Sequence, residues 1–366
     1  MRTRTLAWSL LACMFPGMVA AQSIGTDITG LNLCLYGDCE ARGAYTADPY
    51  GWVNPATLPV GTLPYVQRGL FASGSYFRLN AGGVGADVES GTLTVVTSPV
   101  VLQVNGVYAE TSGQPRTVPA DLTFRTRFVR LAGAIDLDRT TPHIPGLSVG
   151  VLGSLPATNS DLKLSANGLT LVRATEDREV DLTLGVHWRG GERNWFMAGA
   201  FVNALRDPVT TDALDLNSFE TVRTHGTTNA WFTRAGISLL PFVPMGLPSD
   251  GSAAAEWLAE VRLASDVAVG NITVPGEGTR QSETGYFGAD ARVLPDAWNP
   301  VSRYLRFYWI GGVDTDGGWG QGLGFYGNGP LEWLSCNPAY SSRPLAPSLG
   351  HRVNIWSATC SVMLSL

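Results

Sequence analysis

Glu179-Val180-Asp181-Leu182-Thr183-Leu184-Gly185-Val186-His187-Trp188 carries an apolar side chain at every even position and a polar residue or glycine at every odd one. Successive side chains of a strand point to opposite faces, so this stretch reads as a strand with one oily and one polar face. The period recurs along the chain. Leu122, Phe124 and Phe128 alternate with Thr123, Arg125 and Arg127, and Trp257, Ala259, Val261 and Leu263 with Glu256, Glu260 and Arg262. Phe287, Ala289, Ala291 and Val293 alternate with Tyr286, Gly288, Asp290 and Arg292, and Leu305, Phe307 and Trp309 with Tyr304, Arg306 and Tyr308. A soluble sandwich hides such an oily face in its core; a membrane barrel turns it to lipid and its polar face to the lumen. Segment length separates the two, because many runs reach the ~9–11 residues of a tilted membrane strand and exceed the ~5–6 of globular strands. Trp188, Trp195, Trp231, Trp298, Trp309 and Trp356 fall near segment ends, where interfacial girdles form. The pattern predicts an all-β, antiparallel transmembrane β-barrel.

Composition agrees. The 366 residues are 45% apolar and only 15% charged, with 43 glycines, which excludes a disordered chain or a coiled coil. A net charge of −6 excludes a nucleic-acid binder, which must neutralise phosphates. Lys163 is the one lysine among the 25 cations. Arg2 and Arg4, the apolar run Leu6 to Phe15 and the small residues Val19-Ala20-Ala21 make 1–21 an expected signal peptide. Cys13 after Leu10-Leu11-Ala12 offers a looser lipoprotein alternative. Beyond residue 21 no run is long and apolar enough for a spanning helix; Gly236 to Pro248 is broken by Pro241, Pro244 and Pro248.

Further strands are expected near 69–79, 91–98, 99–109, 146–154, 161–172, 194–205, 218–224, 230–240 and 351–366, bringing the count to about fourteen. Loops are expected where Gly, Pro, Asn and Asp gather, at 111–119, 155–160, 206–217, 241–254, 271–282 and 311–350. The last strand places Trp356, Ala358, Cys360, Val362, Leu364 and Leu366 on one face. The expected organisation is a signal peptide at 1–21, an N-terminal segment at 22–68 and the barrel at 69–366.

Residues 22–68 lack the long alternation. They hold Ala47-Asp48-Pro49-Tyr50-Gly51-Trp52-Val53-Asn54-Pro55-Ala56, and here the chain resembles the FadL-type outer-membrane transporters of long-chain fatty acids and other hydrophobic compounds. Asp48 and Asn54-Pro55-Ala56 match that family's acidic residue and Asn-Pro-Ala motif, in order and approximate spacing, ahead of strand one. The resemblance implies a fourteen-stranded barrel whose N-terminal segment folds into the lumen as a hatch. Cys34 and Cys39, and a non-aromatic last residue, are not part of the family's pattern.

Cys34 and Cys39 flank Gly37 and would close a small disulfide loop in an oxidising compartment. Cys336 and Cys360 either bridge a loop to the last strand, or Cys360 stays a free thiol. The four histidines are scattered, so no metal site is expected, and no cofactor. Gly146-Leu147-Ser148-Val149-Gly150 fits the G-x-S-x-G pattern, but a nucleophile elbow needs a following helix, and here the serine lies within a strand. Asp314-Thr315-Asp316-Gly317 has the form of a calcium-loop start without its downstream glutamate; it reads as an acidic turn. No enzyme is expected.

The pattern points Phe77, Arg125, Arg127, Phe232, Arg234, Tyr304, Arg306 and Tyr308 into the lumen, arginines for a carboxylate head and aromatics for a tail. The expected function is an outer-membrane channel for passive uptake of hydrophobic small molecules, in a Gram-negative bacterium. Its partners would be outer-membrane lipid, lipopolysaccharide and the ligand, with a homo-oligomer or a secretion partner as further options. A structural barrel without transport and a secreted soluble β-protein are the alternatives.

Overall fold

The computed structural model describes residues 54–59, 68–81, 84–114, 120–140, 145–155, 159–177, 179–191, 195–215, 218, 220–246, 252–274, 278–292, 305–314, 319–327, 334–344 and 352–365. These hold sixteen strands: β1 (Arg68–Ala81), β2 (Val84–Thr97), β3 (Val100–Gly113), β4 (Asp121–Asp136), β5 (Leu147–Ser154), β6 (Asn159–Ala166), β7 (Leu169–Asp177) and β8 (Val180–Gly190). β9 (Phe196–Leu214), β10 (Thr221–Leu239), β11 (Arg262–Val274), β12 (Gly278–Arg292), β13 (Leu305–Asp314), β14 (Trp319–Gly327), β15 (Leu334–Pro344) and β16 (Arg352–Ser365) follow. All pair antiparallel in one sheet, which closes on itself through β1 with β16 and β9 with β10. Closure leaves no edge strand, the condition for a sheet in hydrocarbon.

Sixteen strands make fourteen passes. β5 and β6 lie end to end against β4, from Asp136↔Ser148 to Arg130↔Ser154 and then from Arg127↔Asn159 to Asp121↔Ser165. Likewise β8 and β7 share β9, with Val180↔Arg206 followed by Glu176↔Val209. At each junction one side carries extra residues, the signature of a bulge. The strand count of about fourteen therefore agrees with the wall. The hairpin joining β6 to β7 turns on Asn167 and Gly168, with φ of 50° and 80°, the two positive values that a type I′ turn demands and Asn-Gly supplies.

The faces are sorted as the period predicts. On β8, Val180, Leu182, Leu184, Val186 and Trp188 are exposed on the outer face, while Asp181, Thr183, Gly185 and His187 are buried on the inner one. Leu102, Val104, Leu131, Val151, Val202 and Trp231 continue the outer apolar belt around the wall. Val180 to Trp188 spans nine residues, a belt of about the ~25 Å height that a bilayer requires. Among the described residues no helix is long and apolar enough to cross a membrane; the strands do so. The end where β1 begins and β16 finishes is called proximal here, the opposite end distal.

The structure corrects three expectations. Residues 256–263 do not form one strand: Ala253–Leu258 is a short helix, capped by the Ser252 hydroxyl accepting from the Ala255 N–H at 3.3 Å, and the strand starts at Arg262. The Ala-rich run favours helix, and the alternation there is coincidental. Much of the expected loops at 206–217, 271–282 and 311–350 is strand instead, and 218–224 with 230–240 falls on one 19-residue strand, Thr221–Leu239. Above the belt a strand needs no apolar face, so composition ceases to mark it.

The third correction concerns β4. Leu122 and Phe124 do not face lipid; they are buried on the inner side with Ala120, Leu162, Leu164, Val172 and Ala174. Lower on the same strand the buried residues are Arg130, Ala132, Ala134 and Asp136, while Leu131 is exposed. The parity of inward positions is constant, but the chemistry inverts. Within the belt the apolar side chains point out to lipid; in the distal wall they point inward onto one another.

Candidate functional site

Asn54-Pro55-Ala56 lies on the inner wall. Asn54 caps a 3-10 turn over Pro55–Thr57: its Oδ1 accepts from the Ala56 N–H at 3.0 Å, and its carbonyl accepts from the Thr57 N–H at 3.1 Å and hydroxyl at 2.8 Å. Asparagine is a preferred cap and proline suits the first turn position, since neither a donor nor a free φ is needed there. The cap also reaches the barrel, its Nδ2 donating to the Val186 carbonyl at 2.8 Å. Asn54, Pro55, Ala56, Thr57 and Leu58 are all buried.

The seat is a notch cut by two glycines. Gly150 of β5 and Gly185 of β8 are register partners, both at inward positions. A Cβ on Gly150 would sit 2.5 Å from the Pro55 carbonyl carbon, and one on Gly185 would overlap Asn54 Oδ1. Only residues without side chains admit the turn here. Ala134 of β4 and Phe201 of β9 flank the pair in the same row, and Arg234 of β10 follows opposite Phe201.

Polar rows lie on both sides of the notch. Toward the distal end, Arg130 Nη2 contacts Asp181 Oδ2 at 3.1 Å with both side chains buried, and Ser154 donates its hydroxyl to the same oxygen. Asn203 donates from Nδ2 to Asp181 Oδ1 and to Thr183 Oγ1, each at 2.8 Å. This network sits where β5 gives way to β6 and β7 to β8. Toward the proximal end, Asp136 takes Arg189 at 3.0 Å and Arg139 at 3.5 Å. Ser148 and His187 are fully buried between these groups, so the serine of Gly146–Gly150 is a wall residue within β5. Arg262 donates to the Ser238 hydroxyl at 3.1 Å. A buried ion pair adds little net stability, yet losing one partner is costly, so such rows fix geometry more than they stabilise it.

Among the expected lumen residues, Arg234 is buried at an inward position. Arg125 and Arg127 are not lumen groups: they alternate with buried Leu122 and Phe124, share the parity of exposed Leu131 and lie on the outer face. The inversion on β4 is the cause. Phe77 pairs in register with Val88, Phe232 with Asn203, Arg306 with Arg292 and Tyr308 with Asp290; their side chains lie outside the description. Tyr304, Asp48, Cys34 and Cys39 lie outside the described residues. Cys336 and Cys360 are register partners on β15 and β16. Sequence reasoning missed Arg130, Asp181, Arg189 and Arg262. Asp181 was visible on the polar face of the quoted stretch, whereas Arg130 borders Leu131-Ala132-Gly133-Ala134, where alternation fades. Among the described residues no group of His, Cys, Asp or Glu could hold a metal ion.

No protein-family profile matches the sequence, and no curated protein is similar to it in sequence. Solved structures do match. The chain is similar to the CymD monoaromatic hydrocarbon channel at 12% identity and a TM-score of 0.51, covering 86% of this chain and 91% of that one. The fold is that of the FadL-type barrels. Further structures with this likeness are a FadL homologue of Pseudomonas aeruginosa (11% identity, 87% and 94% covered, TM-score 0.47) and the toluene transporter TbuX of Ralstonia pickettii (11%, 87% and 92%, 0.46). In this FadL-type wall the Asn-Pro-Ala turn rests against the fifth and sixth passes, within the apolar belt.

Proposed function

We propose that the chain is an outer-membrane channel for passive passage of hydrophobic small molecules, of the monoaromatic or fatty-acid kind, with residues 22–68 acting as its hatch. The observation that carries this reading is the sequence of environments along the inner face. A distal apolar patch (Leu122, Phe124, Leu162, Leu164, Val172) gives way to the Arg130–Asp181 network and then to the seated Asn54-Pro55-Ala56 turn. These side chains are buried against one another in this state, so the distal wall has an apolar interior that an apolar solute would enter at a gain of about 25 cal/mol per Å² of surface covered, while the polar rows and the turn obstruct free flow. Lipopolysaccharide resists greasy solutes, and a protein path with an apolar mouth and a plug meets that need. The CymD structure is described as a monoaromatic hydrocarbon channel, which supports this class of ligand. An exported, Gram-negative outer-membrane location fits the signal-peptide pattern at 1–21.

The test is uptake into vesicles with an outer leaflet of lipopolysaccharide, with and without the purified chain. Toluene or a long-chain fatty acid is expected to enter faster than into empty vesicles, with small hydrophilic sugars showing no gain. Equal entry of the hydrophobic solutes into both kinds of vesicle refutes transport and leaves the structural barrel. Recovery of the protein in the aqueous fraction after a carbonate wash refutes the membrane location.

A further inference from the structure

Above the apolar belt the outer face carries a row of charges that crosses six neighbouring strands. Arg125 Nη2 meets Glu110 Oε1 at 2.8 Å. Arg173 grips both oxygens of Asp161 at 3.0 and 3.1 Å, and Arg223 both oxygens of Asp212 at 2.7 and 3.0 Å. Register joins the pairs: Glu110↔Arg125↔Asp161, and Lys163↔Arg173↔Asp212↔Arg223. The arginines are 55–64% exposed. Arg223, first through its hydrogen bonds, holds the Asp212 carboxyl below its ordinary range.

Bidentate Arg–carboxylate pairs joined in a network brace the wall, but one feature does not follow from bracing. Lys163 and Arg173 stand directly opposite each other, both outward beside buried Leu162, Leu164, Val172 and Ala174. Like charges facing across a ladder are destabilising, and among the described residues Lys163 has no ion-pair partner. Asp161 already takes the Arg173 guanidinium, so the cation left over is Lys163, and an anion beside it gives it a partner. Arg125, Arg127 and Arg223 stand nearby on the same outward face.

We infer that this outward row, centred on Lys163 and Arg173, is a docking surface for the phosphorylated core of lipopolysaccharide. The distal end lies opposite the end at which the chain enters the wall, so in an exported barrel it faces the outer leaflet. On the outer face Arg125 stands six positions past Leu131 and Arg173 seven past Val180, which puts the row above the headgroup layer, at the height of the lipopolysaccharide core. Lipopolysaccharide presents phosphates there with bound divalent cations. Guanidinium and ammonium groups take the phosphate oxygens in charge-assisted bonds, and the interleaved carboxylates face the divalent cations. A mixed row fits that partner better than a purely cationic one. The inference rests on the outer-membrane location proposed above and is independent of what the channel carries.

The lone lysine makes the test direct. The full chain is reconstituted in phosphatidylcholine vesicles and treated with an amine-acylating reagent, with Lys163 read by mass spectrometry against the terminal amine. Adding lipopolysaccharide is expected to slow Lys163 acylation about tenfold, the factor for one charge-assisted bond of ~1.4 kcal/mol. Dephosphorylated lipopolysaccharide and inorganic phosphate are expected to protect little, and R173Q, which keeps the reporter lysine, to lose most of the protection. Equal rates with and without lipopolysaccharide overturn the docking surface. Equal protection by the dephosphorylated form overturns the phosphate chemistry, and equal protection by inorganic phosphate overturns the commitment to this lipid. Should R173Q fail to fold, the lipid comparison on the unaltered chain decides. Solute uptake is read in parallel on vesicles with an outer leaflet of lipopolysaccharide, so loss of protection with intact uptake refutes the docking surface alone.

Discussion

Asn54 Nδ2 donates to the main-chain carbonyl of Val186 at 2.8 Å, across 132 positions of sequence. One side chain thus caps the start of a turn in the N-terminal segment and fastens that turn to the sixth pass of the wall. Asn54→Ala removes the cap and the wall contact together, at a cost of ~1–2 kcal/mol to docking. Roughly tenfold more undocked turn is expected, seen as raised conductance in planar bilayers with unchanged barrel melting. Unaltered conductance would mean that the turn does not control the path.

Gly185→Ala approaches the same contact from the wall side. The new methyl occupies the position of Asn54 Oδ1, while β8 itself accepts an alanine, as any extended residue does. The conductance of Gly185→Ala is expected to match that of Asn54→Ala. The double variant should be no leakier than either alone, since the two changes remove one interaction. Additive leakage would show that Gly185 acts through something other than the turn.

Asp181 anchors the network where two passes change register. It takes Arg130, Ser154 and Asn203 at once. Asp181→Ala takes the carboxylate partner from the buried Arg130, which costs ~3–5 kcal/mol. A markedly lower urea midpoint of the folded barrel is expected. Replacing Arg130 and Asp181 together with apolar residues should recover much of the loss. Failure of that rescue would point to a structural need for the other hydrogen bonds.

How much of this was legible in the sequence depends on where each residue stands relative to lipid. Within the belt, lipid enforces apolar-out alternation, so Val180 to Trp188 could be read directly and the passes counted. Above the belt that pressure is absent. Leu122 and Phe124 look like the oily face of Leu131, yet they pack inward against Leu162 and Val172, so the alternation alone points Arg125 and Arg127 the wrong way. The plug motif was legible as a motif. Its seat was not, because Gly150 and Gly185 are two among 43 glycines and become a notch only when β5 pairs with β8. Arg130 and Asp181 likewise meet only through the fold.

The distal hairpin offers a local test. Leu162 is fully buried in the inward cluster of β4, β6 and β7. Leu162→Ala leaves a cavity costing ~2–5 kcal/mol, and this segment lies beyond the membrane belt. The loss is expected to appear as faster protease cleavage between β6 and β7, with the remaining barrel intact on gels. Hydrophobic uptake should fall with it. Cleavage without loss of uptake would separate the apolar patch from the transport path.

The outer face carries the decisive prediction. Leu184 is 51% exposed at the middle of the β8 belt, and its neighbour Thr183 is fully buried on the inner side. If acyl chains surround the belt, Leu184→Arg must place a cation at mid-membrane, at a cost of ~2–4 kcal/mol. Leu263→Arg, closer to the proximal rim on β11, should cost less, because the penalty fades toward the interfaces and a long side chain can reach the headgroups. The measurement is reversible unfolding in lipid vesicles, repeated in detergent-free aqueous buffer for recovery of soluble protein. In a water-exposed wall both arginines would be harmless, and Leu184→Arg would improve solubility. That outcome would remove the membrane from the description and, with it, the channel.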